Sequence, residues 1–478
     1  MKNKKWLILA LLAIAQFMVV LDSAIVNVAL PALEKALHFD QSSLQWVVTG
    51  YTLTFGGFLL LGGRAADLYG RRRVLLTGIA GFTVFSLLIG LSDSSVVVVI
   101  LRALQGLSAA MMSPAALSIL LTTFKEGKER NTALGVWSAV GAGGAAVGVL
   151  LGGILTQYMG WEWNFFINIP VGILVFIGLL KYVPAHVKEE SDKNLDVIGA
   201  FLVTSGLMSL VYAFVEAPTW GWTDGRTLGL FAASAILLAS FLFNESKVKH
   251  PLMPLSIFKI RNVSGANLMM VPVTAGMMGM FFFASLYIQG ILQYSPVETG
   301  LAFLPVPVVI AISATVASRF VGKIGFKPLL MLGSSLLTIG IFYLSFITLD
   351  GTYIANVLPG LLIMGLGGGM TFVSISVAAT SGVPGHEAGL ASGLVSTSQQ
   401  MGGALGLAIL SGVATSAITS AMTNGTASSL TAASVTGYDA AFRAAAIFTL
   451  FALLVAIFII RQPKSSSVKV TSETVSLH

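Results

Sequence analysis

Residues 6–32 read WLILALLAIAQFMVVLDSAIVNVALPA, a run whose one ionisable side chain is Asp22. An α-helix rises ~1.5 Å per residue, so about 20 apolar residues cross a hydrocarbon core of ~30 Å. The run is therefore long enough to span a membrane. Lys2, Lys4 and Lys5 ahead of it have the look of a secretory leader. The run nevertheless carries a carboxylate and continues for a full span with no small-residue cleavage pattern behind it, which predicts a retained first helix. Working outward, the same texture repeats at about 44–63, 74–92, 95–121, 132–158, 164–183, 197–215 and 227–243. It continues at about 265–292, 299–318, 328–348, 353–378, 388–421 and 440–460. The pattern predicts an all-α polytopic membrane protein with fourteen transmembrane helices.

Composition agrees. Of 478 residues, 55% are hydrophobic and 10% charged, with a mean hydropathy of +0.88. Soluble domains carry about 25% charged residues, so a cytosolic enzyme or a nucleic-acid binder fits poorly. The net charge of +7 is better read as topology than as affinity for nucleic acid. With the N-terminus inside, 23 of the 27 Lys and Arg fall in inner segments, and only Lys35 and Arg226 fall in outer loops. That bias predicts both termini in the cytoplasm. There is no cysteine, and His250 and His386 lack metal-ligand spacing, so neither a metal site nor a cofactor is expected.

A weak internal repeat organises the runs. Gly63-Arg64-x-x-Asp67-x-x-Gly70 recurs as Ser318-Arg319-x-x-Gly322-x-x-Gly325, 255 residues later. Gly135, Gly144 and Gly148 recur as Gly393, Gly402 and Gly406, 258 residues later. Two six-helix bundles are expected, at 1–190 and 263–462, with an inserted helix pair at 191–262 and a cytoplasmic tail at 463–478.

Charges inside apolar runs are the candidates for chemistry. Asp22 is predicted ~24 Å along its helix and Arg102 ~10 Å deep from the opposite side, so the two can share a depth in neighbouring helices. An ionised carboxylate there costs several kcal/mol unless it is paired or faces water. A static ion pair and a carboxylate that titrates as the arginine moves are both open readings. Gly144, Gly148 and Gly152, with Gly153 beside them, form a stripe that lets another helix backbone approach closely. Between the second and third runs, Gly63, Arg64, Asp67, Gly70, Arg71 and Arg72 read either as a basic loop that sets topology or as a latch that locks one conformation.

The spacing of that loop resembles the signature of the major facilitator superfamily, and the chain resembles its fourteen-span drug/proton antiporters, typified by EmrB and QacA. Leu21 to Pro31 is similar to that group's first-span motif, with Ala24 where threonine is usual. Leu101-Arg102-Ala103-Leu104-Gln105-Gly106 resembles the fourth-span motif, whose arginine is tied to proton coupling. Gly144-x-x-x-Gly148-Val149-x-x-Gly152-Gly153 resembles the antiporter motif, with Val149 in place of its proline. Trp161-Glu162-Trp163 and Asn168-Ile169-Pro170-Val171-Gly172 also fit, although arginine is commoner at 162. The resemblance implies the major facilitator fold and a bacterial cytoplasmic membrane. It further implies a latch at 63–72 and proton coupling through Asp22 and Arg102.

Gln16, Asn27, Tyr51, Phe55, Trp137 and Gln289 are candidates to line a substrate cavity. Glu216, Glu298, Glu387 and Asp439 read as interfacial charges, with Asp439 and Arg443 placed for a local i,i+4 pair. The chain holds no phosphate-binding loop of the G-x-x-x-x-G-K-[ST] form, so an ion gradient would supply the energy. Two functions follow. One is proton-coupled export of small lipophilic, cationic drugs by a protein working as a monomer. The other is proton-coupled movement of a metabolite, nutrient or lipid on the same scaffold.

Overall fold

The computed structural model describes residues 2–124, 128–184, 196–248, 251–383 and 388–462. Among them the regular structure is helical. Each of the fourteen apolar runs coincides with a helix or a broken pair of helices. In chain order these are α1 (Lys2–Leu37), a short α2 (Gln41–Leu44), α3 (Trp46–Tyr69), α4 (Arg71–Gly90), α5 (Ser95–Thr123) and α6 (Lys128–Tyr158). Next come α7 (Trp163–Phe166), α8 (Asn168–Tyr182), α9 (Val197–Trp220), α10 (Gly225–Lys247) and α11 (Arg261–Gly290). The last are α12 (Pro296–Phe303), α13 (Pro305–Ile324), α14 (Phe326–Tyr343), α15 (Leu358–Thr380), α16 (Ala388–Thr423) and α17 (Leu430–Phe458).

Thirteen of these stretches are long and apolar enough to cross a membrane among the described residues. The remaining run forms α6, of 31 residues, whose apolar part, Gly143–Tyr158, is shorter than those stretches. The protein is a multi-pass membrane protein.

The helices before α9 pack chiefly on one another, and so do those from α11 onward. Within the first group α1 lies along α6, and α5 lies between α3 and α4. Within the second, α11 lies along α16, and α15 along α14 and α13. The pair α9–α10 stands outside both. Leu207, Val211 and Val215 of α9 share one apolar cluster with Leu53 of α3 and Ala404 and Ala408 of α16. This pair is thus seated where the two groups meet.

One correction concerns the second-to-third connection, which sequence pattern reads as a loop over 63–73. Here α3 runs on to Tyr69 and α4 starts at Arg71. The residues from Arg64 to Tyr69 include no helix breaker, so the helix continues until Gly70 supplies a φ of 97°. The connection is a one-residue corner. Similarly, the tenth run begins earlier than its apolar residues do. Ser295 and Glu298 form a reciprocal capping box at the start of α12, so Glu298 is a helix cap rather than a loop charge.

A buried ion network on the helix that closes the seam

Asp22 and Arg102 meet. Arg102 Nη1 donates to Asp22 Oδ2 at 2.6 Å, and the residues are 1% and 0% exposed. The remaining carboxylate oxygen, Oδ1, accepts from Gln105 Nε2 and from Asn168 Nδ2, each at 3.0 Å. Gln105 Oε1 accepts a second bond from Arg102 Nη1 at 2.7 Å, and Gln105 Nε2 also reaches Ser86 Oγ at 2.8 Å. Arg102 Nε donates to the Val47 carbonyl at 2.9 Å, and its guanidinium lies over the Tyr51 ring at 4.3 Å from the centroid. Five spans, α1, α3, α4, α5 and α8, therefore converge on one charge pair. Such satisfaction is required, because a buried pair whose remaining donors and acceptors go unmet costs more in desolvation than the attraction returns.

Gln105, Asn168, Ser86 and Tyr51 were not singled out for this role by sequence. The available signal was spacing: Gln105 is three residues from Arg102 on one helix face. Tyr51, a candidate for the substrate cavity, instead packs under Arg102.

The helix bearing Asp22 makes two further contacts within six residues. Gly144, Gly148 and Gly152 of α6 all face α1. An added β carbon would lie 3.2 Å from Val20, 2.8 Å from the Ala24 Cβ and 2.8 Å from the Ile25 carbonyl, respectively. The neighbouring face of α6 meets the other group of helices. A β carbon on Gly153 would lie 2.4 Å from the Pro296 carbonyl, and one on Gly300 would lie 2.5 Å from the Val149 carbonyl. The candidate glycine stripe is therefore a double interface, with α1 on one side and the start of α12 on the other. Val149, which stands in the proline position of the resembled motif, is buried in that second contact.

Beyond Asp22, α1 contains Pro31. A proline has no N–H to give the carbonyl four residues back, so the Asn27 carbonyl is left without its helical partner. It accepts instead from Ser285 Oγ of α11 at 2.8 Å, and the Val28 carbonyl accepts from Gln289 Nε2 at 3.0 Å. Gln157 Oε1 at the end of α6 adds a bond from the Val297 N–H at 3.1 Å. These contacts join the two helix groups at the end of the bundle away from the N-terminus.

The remaining candidates separate. Gln16 accepts from Ser113 Oγ at 3.0 Å within the first group. Phe55 and Trp137 pack into an apolar cluster of that group, with Phe55 beside Tyr51 at 5.9 Å between centroids. Asn27 and Gln289 belong to the seam. None of the six lines the open surface depressions of about 270 Å³ at Tyr294, Glu298 and Tyr353 and of about 360 Å³ at Arg261, Asn262 and Arg461. For the latch, Arg72 Nη2 donates to the Leu180 carbonyl at the end of α8 at 2.5 Å, where a cation also suits the helix terminus. Gly63 faces Pro114 of α5, and Arg64 is exposed. The Asp67 side chain, Glu387, His250 and His386 lie outside the described residues. Asp439 and Arg443 pair as expected, at 2.8 Å.

Two helix groups joined at one end by a polar seam, with a charge pair buried in one of them, define a membrane transporter of the alternating-access kind. The chain belongs to the Major Facilitator Superfamily, whose family model matches residues 12–407. It is 40% identical to the puromycin resistance protein pur8 of Streptomyces alboniger, over 86% of this chain and 82% of that protein. It is 36% identical to the tetracenomycin C resistance and export protein of Streptomyces glaucescens, over 86% of this chain and 76% of that protein. In fold it is similar to a bacterial homologue of the human lysosomal transporter Spinster, with a TM-score of 0.69 at 15% identity, covering 97% of this chain and all of that one.

Proposed function

We propose that the protein exports small lipophilic, cationic drugs across a bacterial cytoplasmic membrane in exchange for protons, working as a monomer. Both termini face the cytoplasm in this reading, so the seam at Asn27, Val28 and Gln157 closes the outer side and the form described is inward-facing. Relatives named for resistance to puromycin and export of tetracenomycin C support the substrate class. The observation that carries the coupling is the position of Asp22, five and six residues before the two carbonyls that hold the seam.

The mechanism follows from charge. While Asp22 is ionised, three donors fix it to α5 and α8. A proton on Asp22 removes the charge that Arg102 neutralises, and a hydrogen bond to a charged group contributes about 1.5–3 kcal/mol. A membrane potential of 100 mV supplies ~2.3 kcal/mol per charge, so one proton is of the right size to shift α1. The glycines of α6 pass that shift to α12, because Gly152 and Gly153 put no side chain of α6 between its backbone and the Ile25 and Pro296 carbonyls. A bound cationic drug favours the ionised acid and a proton the neutral one, which makes the two exchange rather than travel together.

Energised inverted vesicles containing the protein should accumulate ethidium, and a protonophore should abolish the accumulation. Accumulation insensitive to the protonophore would contradict proton coupling. For orientation, single cysteines at 224 and 188 serve, since the chain has none of its own. The first should react with an impermeant reagent from outside and the second should not; reversed labelling would overturn the orientation.

A further inference from the structure

A second buried acidic site lies in the inserted pair, at the end of the bundle that carries the N-terminus. Asp196 caps α9, where its Oδ1 accepts from the Gly199 N–H and its Oδ2 from Asn244 Nδ2, both at 2.7 Å. Glu245, near the end of α10, accepts the Met253 N–H on Oε2 at 2.8 Å. Both acids are more than nine-tenths buried, at 6% and 4% exposure. Glu245 Oε1 is buried with no donor facing it. It points at Asp196 instead. The two carboxyl groups are within hydrogen-bond reach, and a β carbon added to Gly199 would lie 2.3 Å from Asp196 Oδ2 and 2.9 Å from Glu245 Oε1.

Two ionised carboxylates cannot share so dry a place without a cation, and none of the described cations supplies one; Lys193, Lys249 and His250 lie outside the described residues. Lys247 on α10 lies by the Phe243 ring at 5.8 Å. Arg261 donates to the Ile459 and Phe458 carbonyls, and Lys259 is exposed. Of the helices packed on α9, α16 carries no charged residue, while α3 carries Arg64, exposed, and Asp67, whose side chain is outside the described residues.

We propose that Asp196 and Glu245 form a proton-binding site, in which one proton taken from solution sits on Glu245 Oε1 and is donated to Asp196 Oδ2. The protonated pair closes a clasp among three segments: the start of α9, the end of α10 and the stretch at Met253 that leads into α11. Loss of the proton leaves two adjacent negative charges, so the clasp loosens and the Met253 N–H is freed. Because α9 also packs on α3 and α16, the site ties the pH at that end of the bundle to the place where the two helix groups meet. The inference stands apart from the role of Asp22 and does not depend on the substrate.

Infrared titration of the full chain in lipid nanodiscs tests it. The carbonyl stretch of a protonated carboxyl should persist at neutral pH in the wild type and in Asp22→Asn. It should vanish in Glu245→Gln, whose amide can keep both hydrogen bonds. Hydrogen exchange gives a second reading that needs no variant. Once corrected for intrinsic exchange, protection of the Met253 amide should fall on the order of tenfold as the band titrates away, equivalent to ~1.4 kcal/mol. A band unchanged by Glu245→Gln would overturn the proposal. So would protection of Met253 that stays constant from acid to alkaline pH, the result expected if both acids are ionised and paired with a cation.

Discussion

The two helix groups share a packing device and differ in their charge. In the first, Gly144, Gly148 and Gly152 of α6 bring its backbone against α1. In the second, Gly402 and Gly406 of α16 face α11 in the corresponding way, with added β carbons 2.5 Å from the Val271 carbonyl and 2.2 Å from the Ala275 Cβ. Yet the first group buries Asp22 and Arg102, whereas among the described residues the second buries no charged side chain. Its core is aromatic instead, with Phe282, Phe283, Phe303 and Phe442 each at most 1% exposed. Close helix contact is thus duplicated, while among the described residues the buried charge pair stands in one group alone. In the proposed cycle the repeated stripes carry the motion and the charge pair, which is not repeated, carries the coupling.

The largest effect should come from separating the charge pair. Asp22→Ala leaves Arg102 buried and uncompensated, at a cost of about 3–5 kcal/mol. Neutralising both, as Asp22→Asn with Arg102→Met, should recover most of that stability in thermal unfolding without recovering transport. Full transport by the double variant would break the contrast between the groups.

Next come the glycines, where both groups should respond alike. Gly152→Val and Gly406→Val each force a β-branched side chain against backbone or a neighbouring Cβ, an overpacking cost of about 1–3 kcal/mol. A loss confined to one group would show that the stripes are not equivalent. A comparable but narrower effect is expected from Gln105→Leu, which leaves Asp22 Oδ1 and Ser86 with one donor fewer, at about 1–3 kcal/mol. Its mark is selective: proton-driven efflux should fall more than drug binding to the solubilised protein does.

The smallest effect tests the second group directly. Asp439 and Arg443 form its i,i+4 pair, but Arg443 is 59% exposed. Exposed pairs contribute about 0–1 kcal/mol, so Asp439→Asn should leave both melting temperature and efflux nearly unchanged. Loss of coupling in that variant would place an ion-carrying acid in the wrong half.

These features differed in how visible they were in the sequence. Membrane spans were readable because apolar runs and basic connections follow directly from the cost of charge in hydrocarbon. Asp22 and Arg102 stood out for the same reason, as charges where charge is expensive. Ser86 and Asn168 did not, because a single neutral polar residue in a span costs little and many such residues bond their own helix. The seam was also hidden. Its signal was Pro31, which frees the Asn27 carbonyl, but only the fold shows that Ser285 arrives from 258 residues away to use it. Helix ends were misjudged where apolarity and helicity part company, as at Arg64 to Tyr69, where charged residues continue the helix to Gly70.

The most direct measurement is proton release when a cationic drug is added to the detergent-solubilised protein in weakly buffered solution. The wild type should release protons on binding and Asp22→Asn should release none, while Asp439→Asn behaves as the wild type. Release of wild-type size from Asp22→Asn would contradict coupling through the first helix group and move it to another acid, with Glu216 and Glu298 the next to examine.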